Sequence, residues 1–304
     1  MNIIRRIDIE GSLETKGIVN RDRKITLNGN KNHLIAKKDA FGREFTSSRC
    51  LRQLMYKTLQ PNQPTLDEFE TNYIQLAASE IGLVRGIMNA NNQLKRSSPL
   101  CVLDATSILP DSLFNKVNGQ YEYIFFDQGG SSKFKESFDE KSDPSMFSIE
   151  NAHQRTQSFN AFIDIHKLQL IEQGANQTKI VLEKDEDIFL KQLKSTFKKM
   201  NTSEECSINM YQLSSALSPY RVRGILLNDE QMSSLIYSTL SKIIRIEGFK
   251  TGAFITAKTE SFKVKLFVND EIHSTIELPM NEFMTLLKKN EFKFVKFYQK
   301  IKDK

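Results

Sequence analysis

The sequence is poor in everything that would place it in a membrane or staple it covalently. No stretch approaches the roughly 18 uninterrupted apolar residues of a membrane-spanning helix. The opening MNIIRRIDIEGS lacks the long apolar run of a secretory signal. The cysteines are Cys50, Cys101 and Cys206, which cannot all pair and form no CxxC unit. Free, buried thiols in a reducing, cytoplasmic setting are therefore expected. The histidines His33, His153, His166 and His273 stand outside helical reach of one another, so no metal site is expected. There is no GxxxxGK[ST] loop and no GxGxxG after a strand. The run Gly129–Lys133 reads as a flexible loop rather than a phosphate cradle. No nucleophile elbow appears, and no pair of carboxylates is singled out by spacing. The expectation is a protein without cofactor that is not an enzyme.

What is present is an ordinary globular composition with a basic excess. Hydrophobic residues make up 39% and charged residues 26%, enough to bury a sizeable core. The formal net charge is +6 and the pI about 9.0, which favours anionic partners, nucleic acid first.

Apolar periodicity gives the elements. Ile3, Ile7 and Ile9 alternate with polar residues and predict a first strand running toward Ile18 and Val19. Gly11 and Gly17 predict kinks or close approach within it. Residues 20–43 form a basic excursion with an Asn28-Gly29 turn. A helix is predicted to start near Ser47, capped by Ser47 or Thr46, with Cys50, Leu51, Leu54 and Met55 as its stripe. A second opens at Thr65–Glu68 and ends near Gly82. Leu100–Leu103 and Tyr123–Phe126 read as short strands. Residues 127–157 lose all period and predict a protruding arm with isolated aromatics Phe134, Phe138 and Phe147. The sheet resumes from Phe159 to Ile165, extending toward Leu170. Helices follow from about Asp185 and from Asn228, the latter with a capping pattern through Gln231. A last strand spans Phe262–Phe267. This order fits an α+β fold with helices on one face of an antiparallel sheet; a ferredoxin-like core is one solution among several.

Three clusters carry potential chemistry. Ser47, Ser48, Arg49 and Arg52 sit at a predicted helix start, where unpaired amides favour phosphate and two guanidinium forks share a face. Arg85, between Gly82 and Gly86, precedes the basic loop Lys95, Arg96, Ser97 and Ser98. Tyr220, Arg221 and Arg223 form the third, the arginines sharing one strand face and the tyrosine fit to stack on a base.

Together these clusters resemble the backbone subunit of class-one CRISPR complexes, the Cas-seven family of the RAMP superfamily. Gly17-Ile18-Val19-Asn20 is similar to a Gly-x-x-Asn element at the end of the family's first strand. Ser48–Arg52 matches a Ser-x-x-(Leu/Ile)-Arg helix start. Gly82–Gly86 and Lys95–Leu100 match two further segments, and Tyr220–Asp229 looks like a last block. The likeness is nearest to the backbone subunit of type I-F variant systems and spans about Gly11 to Asp229. The Tyr220–Arg223 block lacks an expected insertion before Gly224, and residues 127–157 have little that matches.

The resemblance implies a modified ferredoxin-like, RNA-recognition-type palm over the single domain 1–304, with the 20–43 loop inserted and residues 127–157 as a hairpin thumb. It implies that copies stack as a helical filament along guide crRNA within a complex of other effector subunits. Target DNA is then met through the guide, and no membrane is involved. Contacts to sugar and phosphate from Asn20, Ser47, Ser48, Arg49, Arg52, Arg85, Lys95, Arg96, Ser97, Ser98, Tyr220, Arg221 and Arg223 suit binding that ignores spacer sequence. Two other readings stand beside it. One is a RAMP-type endoribonuclease using Asp139, Asp143, His153 or His166. The other is a non-specific single-stranded nucleic-acid-binding protein.

Overall fold

The computed structural model describes residues 3–17, 21–25, 32–36, 39–56, 66–108, 123–126, 132–135, 147–149, 154–174, 179–214, 220–250, 253–268 and 274–301. Asn20, the Asn28-Gly29 turn, Thr65, Phe138, Asp139, Asp143 and His153 lie outside them, as does most of the predicted arm at 127–157.

The first strand, Ile3–Gly17, organises a ten-stranded sheet. Along one edge it pairs antiparallel with Gln154–Asp164 over nearly its whole length. Along the other it meets Lys263–Val268 in its first half and Ala253–Ala257 in its second. Ile7, Ile9 and Leu13 are fully buried, as period two predicts for one covered face. Ile4 is also buried, although it has the opposite parity. A register irregularity between Ile4 and Arg6 explains this, since an extra residue turns the strand over. Gly11 does not kink the strand. A β-carbon there would stand 2.6 Å from the Phe262 ring, so the glycine admits a core aromatic rather than bending the chain.

Six helices pack with this sheet among the described residues: α1 (Ser48–Met55), α2 (Leu66–Ala78), α3 (Ile165–Gln169), α4 (Glu186–Lys199), α5 (Asp229–Ile243) and α6 (Met280–Lys288). Their starts follow from capping chemistry. Ser47 accepts from the Cys50 amide at the head of α1. At α5 the Asn228 side chain accepts from the Gln231 amide while the Gln231 side chain accepts from the Asn228 amide. Removing such a cap typically costs about 1 kcal/mol. Phe189, Leu193 and Phe197 of α4 and Met232, Leu235, Ile236 and Leu240 of α5 enter one continuous core with Ile7, Ile9, Phe159 and Val264.

The predicted strand from Phe159 does not run through to Leu170. It stops at Asp164, whose carboxylate accepts from the Lys167 amide and starts the short α3. The chain re-extends as Leu170–Glu172, now in a separate four-stranded sheet with Arg221–Leu226, Ile208–Leu213 and Tyr298–Lys300. The expected ending of α2 at Gly82 is also revised. The helix ends at Ala78, and a wide π-type turn, Ile81–Arg85, follows. Gly82 permits that turn, since a β-carbon would lie 2.3 Å from the Leu76 carbonyl oxygen.

A five-stranded sheet joins the two predicted excursions. Its order is Ser132–Lys135, Tyr123–Phe126, Phe147–Ile149, Asn32–Ala36 and Arg21–Ile25. Strands from the basic insertion and from the predicted arm therefore pair, with Ile149 opposite Leu34. The mixed helix and strand content with a curled antiparallel sheet agrees with an α+β fold. No helix of the described residues is long and apolar enough to cross a membrane. All three thiols are free, but only Cys50 is buried; Cys101 and Cys206 are half-exposed. Burial pushes the Cys206 thiol up to about 11, so it is not an activated nucleophile.

Candidate nucleic-acid interface

Two of the three sequence clusters meet at one place. Arg49 and Arg52 project from α1, off its buried stripe of Cys50, Leu51, Leu54 and Met55. Arg85, at the end of the π-type turn, lies with its guanidinium over the Tyr56 ring, 5.9 Å from the centroid. Its pKa is lowered, first by burial and then by the positive charges of Arg52 and Arg49 nearby. None of these guanidinium groups has a carboxylate partner among the described residues: Glu80, the closest acid in sequence to Arg85, is paired with Lys242. Like charges gathered without counter-charge raise the energy of the free protein and are relieved by an anion.

The helix start itself is less open than its sequence implies. The Asp104 carboxylate accepts from the Ser48 amide at 2.6 Å, and Ser47 accepts from Cys50. An internal carboxylate thus occupies the place an external phosphate would take at the first amides of α1. The arginine side chains, rather than the helix end, are the available anion ligands there.

Gly86 and Ser98 connect this cluster to the basic loop. Gly86 has φ 81°, and a β-carbon on it would lie 2.7 Å from the Arg96 carbonyl oxygen and 2.9 Å from the Ser98 amide. The Ser98 hydroxyl donates to the Val84 carbonyl. The chain at 82–86 is thereby pressed against 96–98; Arg85 is half-buried there, and Lys95 and Ser97 are exposed.

Arg96 is not at the surface. It is 7% exposed, and its guanidinium donates to the carbonyls of Leu83, Leu170, Lys167 and Leu168. Burial pulls its pKa down to about 10, with Glu172 partly offsetting this. It stitches the π-type turn, α3 and the four-stranded sheet together, so its predicted contact with phosphate is withdrawn. Ser98 is likewise committed to the backbone. Arg223 is held in two hydrogen bonds by Glu186, the longer 2.7 Å, whereas Arg221 and Tyr220 are exposed on the same strand region.

A cavity of about 180 Å³ lies beside the basic loop, lined by Lys95, Arg96, Ser97, His166, Lys167, Leu170, Glu172 and Tyr298. The His166 ring stacks on Tyr298 with centroids 5.1 Å apart and shares a 3.0 Å hydrogen bond with its hydroxyl. Burial raises the Tyr298 phenol far above its usual range, so it stays protonated and can donate to the imidazole. Tyr298 belongs to Tyr298–Lys300, paired with Ile208–Leu213, and the Leu213 amide donates to the Tyr220 carbonyl. The third cluster is therefore linked to one lining residue of the cavity, Tyr298, through a strand that sequence reading missed. No group of His, Cys, Asp and Glu able to hold a metal ion occurs among the described residues.

In a comparison with protein families, residues 12–265 match the family of type I-Fv CRISPR-associated proteins described as Cas7fv-like. The chain belongs to the Cas7fv-like family. It is a backbone subunit of a type I CRISPR effector complex, which it forms with other subunits. The curated proteins hold no match.

Within this Cas7fv-like chain the matched span includes the arginine cluster, the basic loop and the Tyr220 region, while Tyr298 falls beyond it. Sequence reasoning also missed Arg6, whose guanidinium lies 4.4 Å from the Phe162 ring centroid on the side of the sheet away from Ile7 and Ile9. Period two applied to both strands places Arg6 and Phe162 on that face. Phe41, 75% exposed, was missed as well. It sits in a tight loop closed by Asp39, whose carboxylate accepts from the amides of Phe41 and Arg43.

Proposed function

We propose that the chain coats guide crRNA, holding its sugar–phosphate backbone without reading its bases. The observation that carries this reading is the group of Arg49, Arg52 and Arg85, mutually repelling and lacking carboxylate partners among the described residues. Guanidinium forks match phosphate oxygens, and contacts of this kind position a strand without selecting its sequence. Lys95, Ser97, Tyr220 and Arg221, all exposed, extend the grip. Arg96, Ser98 and Arg223 support it from within, and Ser47 and Ser48 shape the start of α1.

In this reading the palm is a modified ferredoxin-like domain of the RNA-recognition type. Copies polymerise along the spacer, and target DNA is recognised by pairing with the exposed guide bases. The excursion at 20–43 is an inserted basic loop and the arm at 127–157 serves as the thumb. Their pairing in one five-stranded sheet supports their acting together. The chain binds and does not catalyse, works in the cytoplasm and needs no cofactor.

The test is to purify the full chain with its complex from cells carrying a CRISPR array and to sequence the bound nucleic acid. The reading expects guide RNAs whose protein-protected spacers share no sequence. Recovery of random cellular RNA and DNA alike would contradict it.

A further inference from the structure

One wall of the cavity beside the basic loop is not explained by phosphate binding. Lys95 is exposed and its ammonium makes no ion pair among the described residues, as suits a phosphate ligand. Lys167 is tied to Asp164 at 3.3 Å. Yet Glu172 lines the same cavity, and its carboxylate forms no hydrogen bond or ion pair with any described residue. A carboxylate weakens a site built for an anion alone. Its charge also offsets part of the burial of Arg96, and toward a ligand it serves one that offers a hydrogen-bond donor next to its negative charge.

We infer that this cavity receives a ribose whose adjoining phosphate is held by Lys95, with Glu172 accepting from the 2′-hydroxyl, so that it is where the chain tells RNA from DNA. The inference rests on the reading that the chain grips one RNA strand. The 2′-hydroxyl is the one donor that RNA carries and DNA lacks on its backbone. An ionised carboxylate is a pure acceptor, and acidic side chains take a ribose hydroxyl in the same manner in dinucleotide-binding folds. The His166 part of the lining is closely packed. His166 is stacked on Tyr298, bonded to its hydroxyl, and met edge-on by Phe297 with centroids 5.0 Å apart. The Gln169 side chain clamps that segment, donating to the Val295 carbonyl and accepting from the Phe297 amide. A deoxyribose in the cavity would leave the carboxylate facing a methylene, desolvated and unpaired, which costs more than an absent contact. Tyr298 lies outside the residues that match the family, so part of this lining belongs to the chain's own C-terminal segment.

The experiment measures affinity of the full-length protein for a single-stranded RNA and for DNA of the same sequence, with melting temperatures recorded in parallel. For wild type, RNA binds more tightly. In Glu172→Ala the RNA-to-DNA affinity ratio falls about tenfold through weaker RNA binding, with the salt slope unchanged. Glu172→Gln, which keeps a neutral acceptor, falls between. Tyr298→Phe, which frees the imidazole but keeps the ring, lowers the ratio in the same direction. A lower melting temperature with an unchanged ratio would mean that Glu172 only balances buried Arg96, and would overturn the inference. Equal gains for both strands, from removing a negative charge beside phosphate, would overturn it too. In either case the proposed RNA grip would survive, whereas wild-type protein that binds neither strand removes both.

Discussion

Gly86 stands against the backbone of Arg96 so closely that a β-carbon would lie 2.7 Å from the Arg96 carbonyl oxygen. This contact joins the arginine cluster of α1 and the π-type turn to the basic loop, and it is available only to glycine.

Gly86→Ala is therefore expected to be costly twice, through the contact and through φ 81°. A non-glycine residue held in such a conformation costs about 1–3 kcal/mol before any clash. Urea unfolding should show a lower midpoint with an unchanged slope. A variant as stable as wild type would mean that the two segments are not locked together.

Arg96→Met should destabilise the fold far more than an exposed arginine substitution. Its buried carbonyl partners at Leu83, Leu170 and Leu168 would lose this donor. Each such loss costs about 1–3 kcal/mol, so a total near 3 kcal/mol or above is expected from denaturant unfolding. A change below about 0.5 kcal/mol, the usual range for a surface position, would return Arg96 to the surface.

Glu186 gives a pH signature. Its carboxyl pKa is held below the usual value, first by the hydrogen bond from Arg223. The unfolded chain therefore takes up this proton at higher pH than the folded one. The contribution is complete above the ordinary glutamate value of about 4.3 and is lost as pH falls through the lower folded value. Because the Arg223 side chain is 39% exposed, the effect is small, under about 1 kcal/mol. Glu186→Gln should reduce stability at neutral pH and lose less than wild type on acidification. Parallel acid limbs in the two proteins would show that the pair contributes nothing.

Much of this was readable in the sequence where the determinants are local. The caps at Ser47 and Asn228, the alternation of Ile7 and Ile9 and the stripe of α1 each concern neighbours within a turn or a strand. Arg96 shows how a local signal misleads. Lys95-Arg96 reads as an exposed basic pair, but Leu94–Arg96 is a strand in which Leu94 and Arg96 share the buried face. Applying period two there would have turned Arg96 inward. The helix α3 was hidden because Ile163–Ile165 and Leu168–Leu170 each alternate as strands do; the change of parity between them and the Asp164 cap mark the helix. Tyr298 was out of reach. Its place beside His166 depends on strand pairing with Leu213, far away in the chain, and nothing near Tyr298 encodes that partner.

The most direct test of the central claim is the salt dependence of binding to two guide RNAs of unrelated spacer sequence, for wild type and for Arg49→Ala, Arg52→Ala and Arg85→Ala. Each arginine that neutralises one phosphate should contribute about 0.7 to the slope of log affinity against log salt on a single strand. The account predicts that each substitution flattens the slope by about that amount, equally for both RNAs. Unchanged slopes, or losses confined to one spacer sequence, would contradict it.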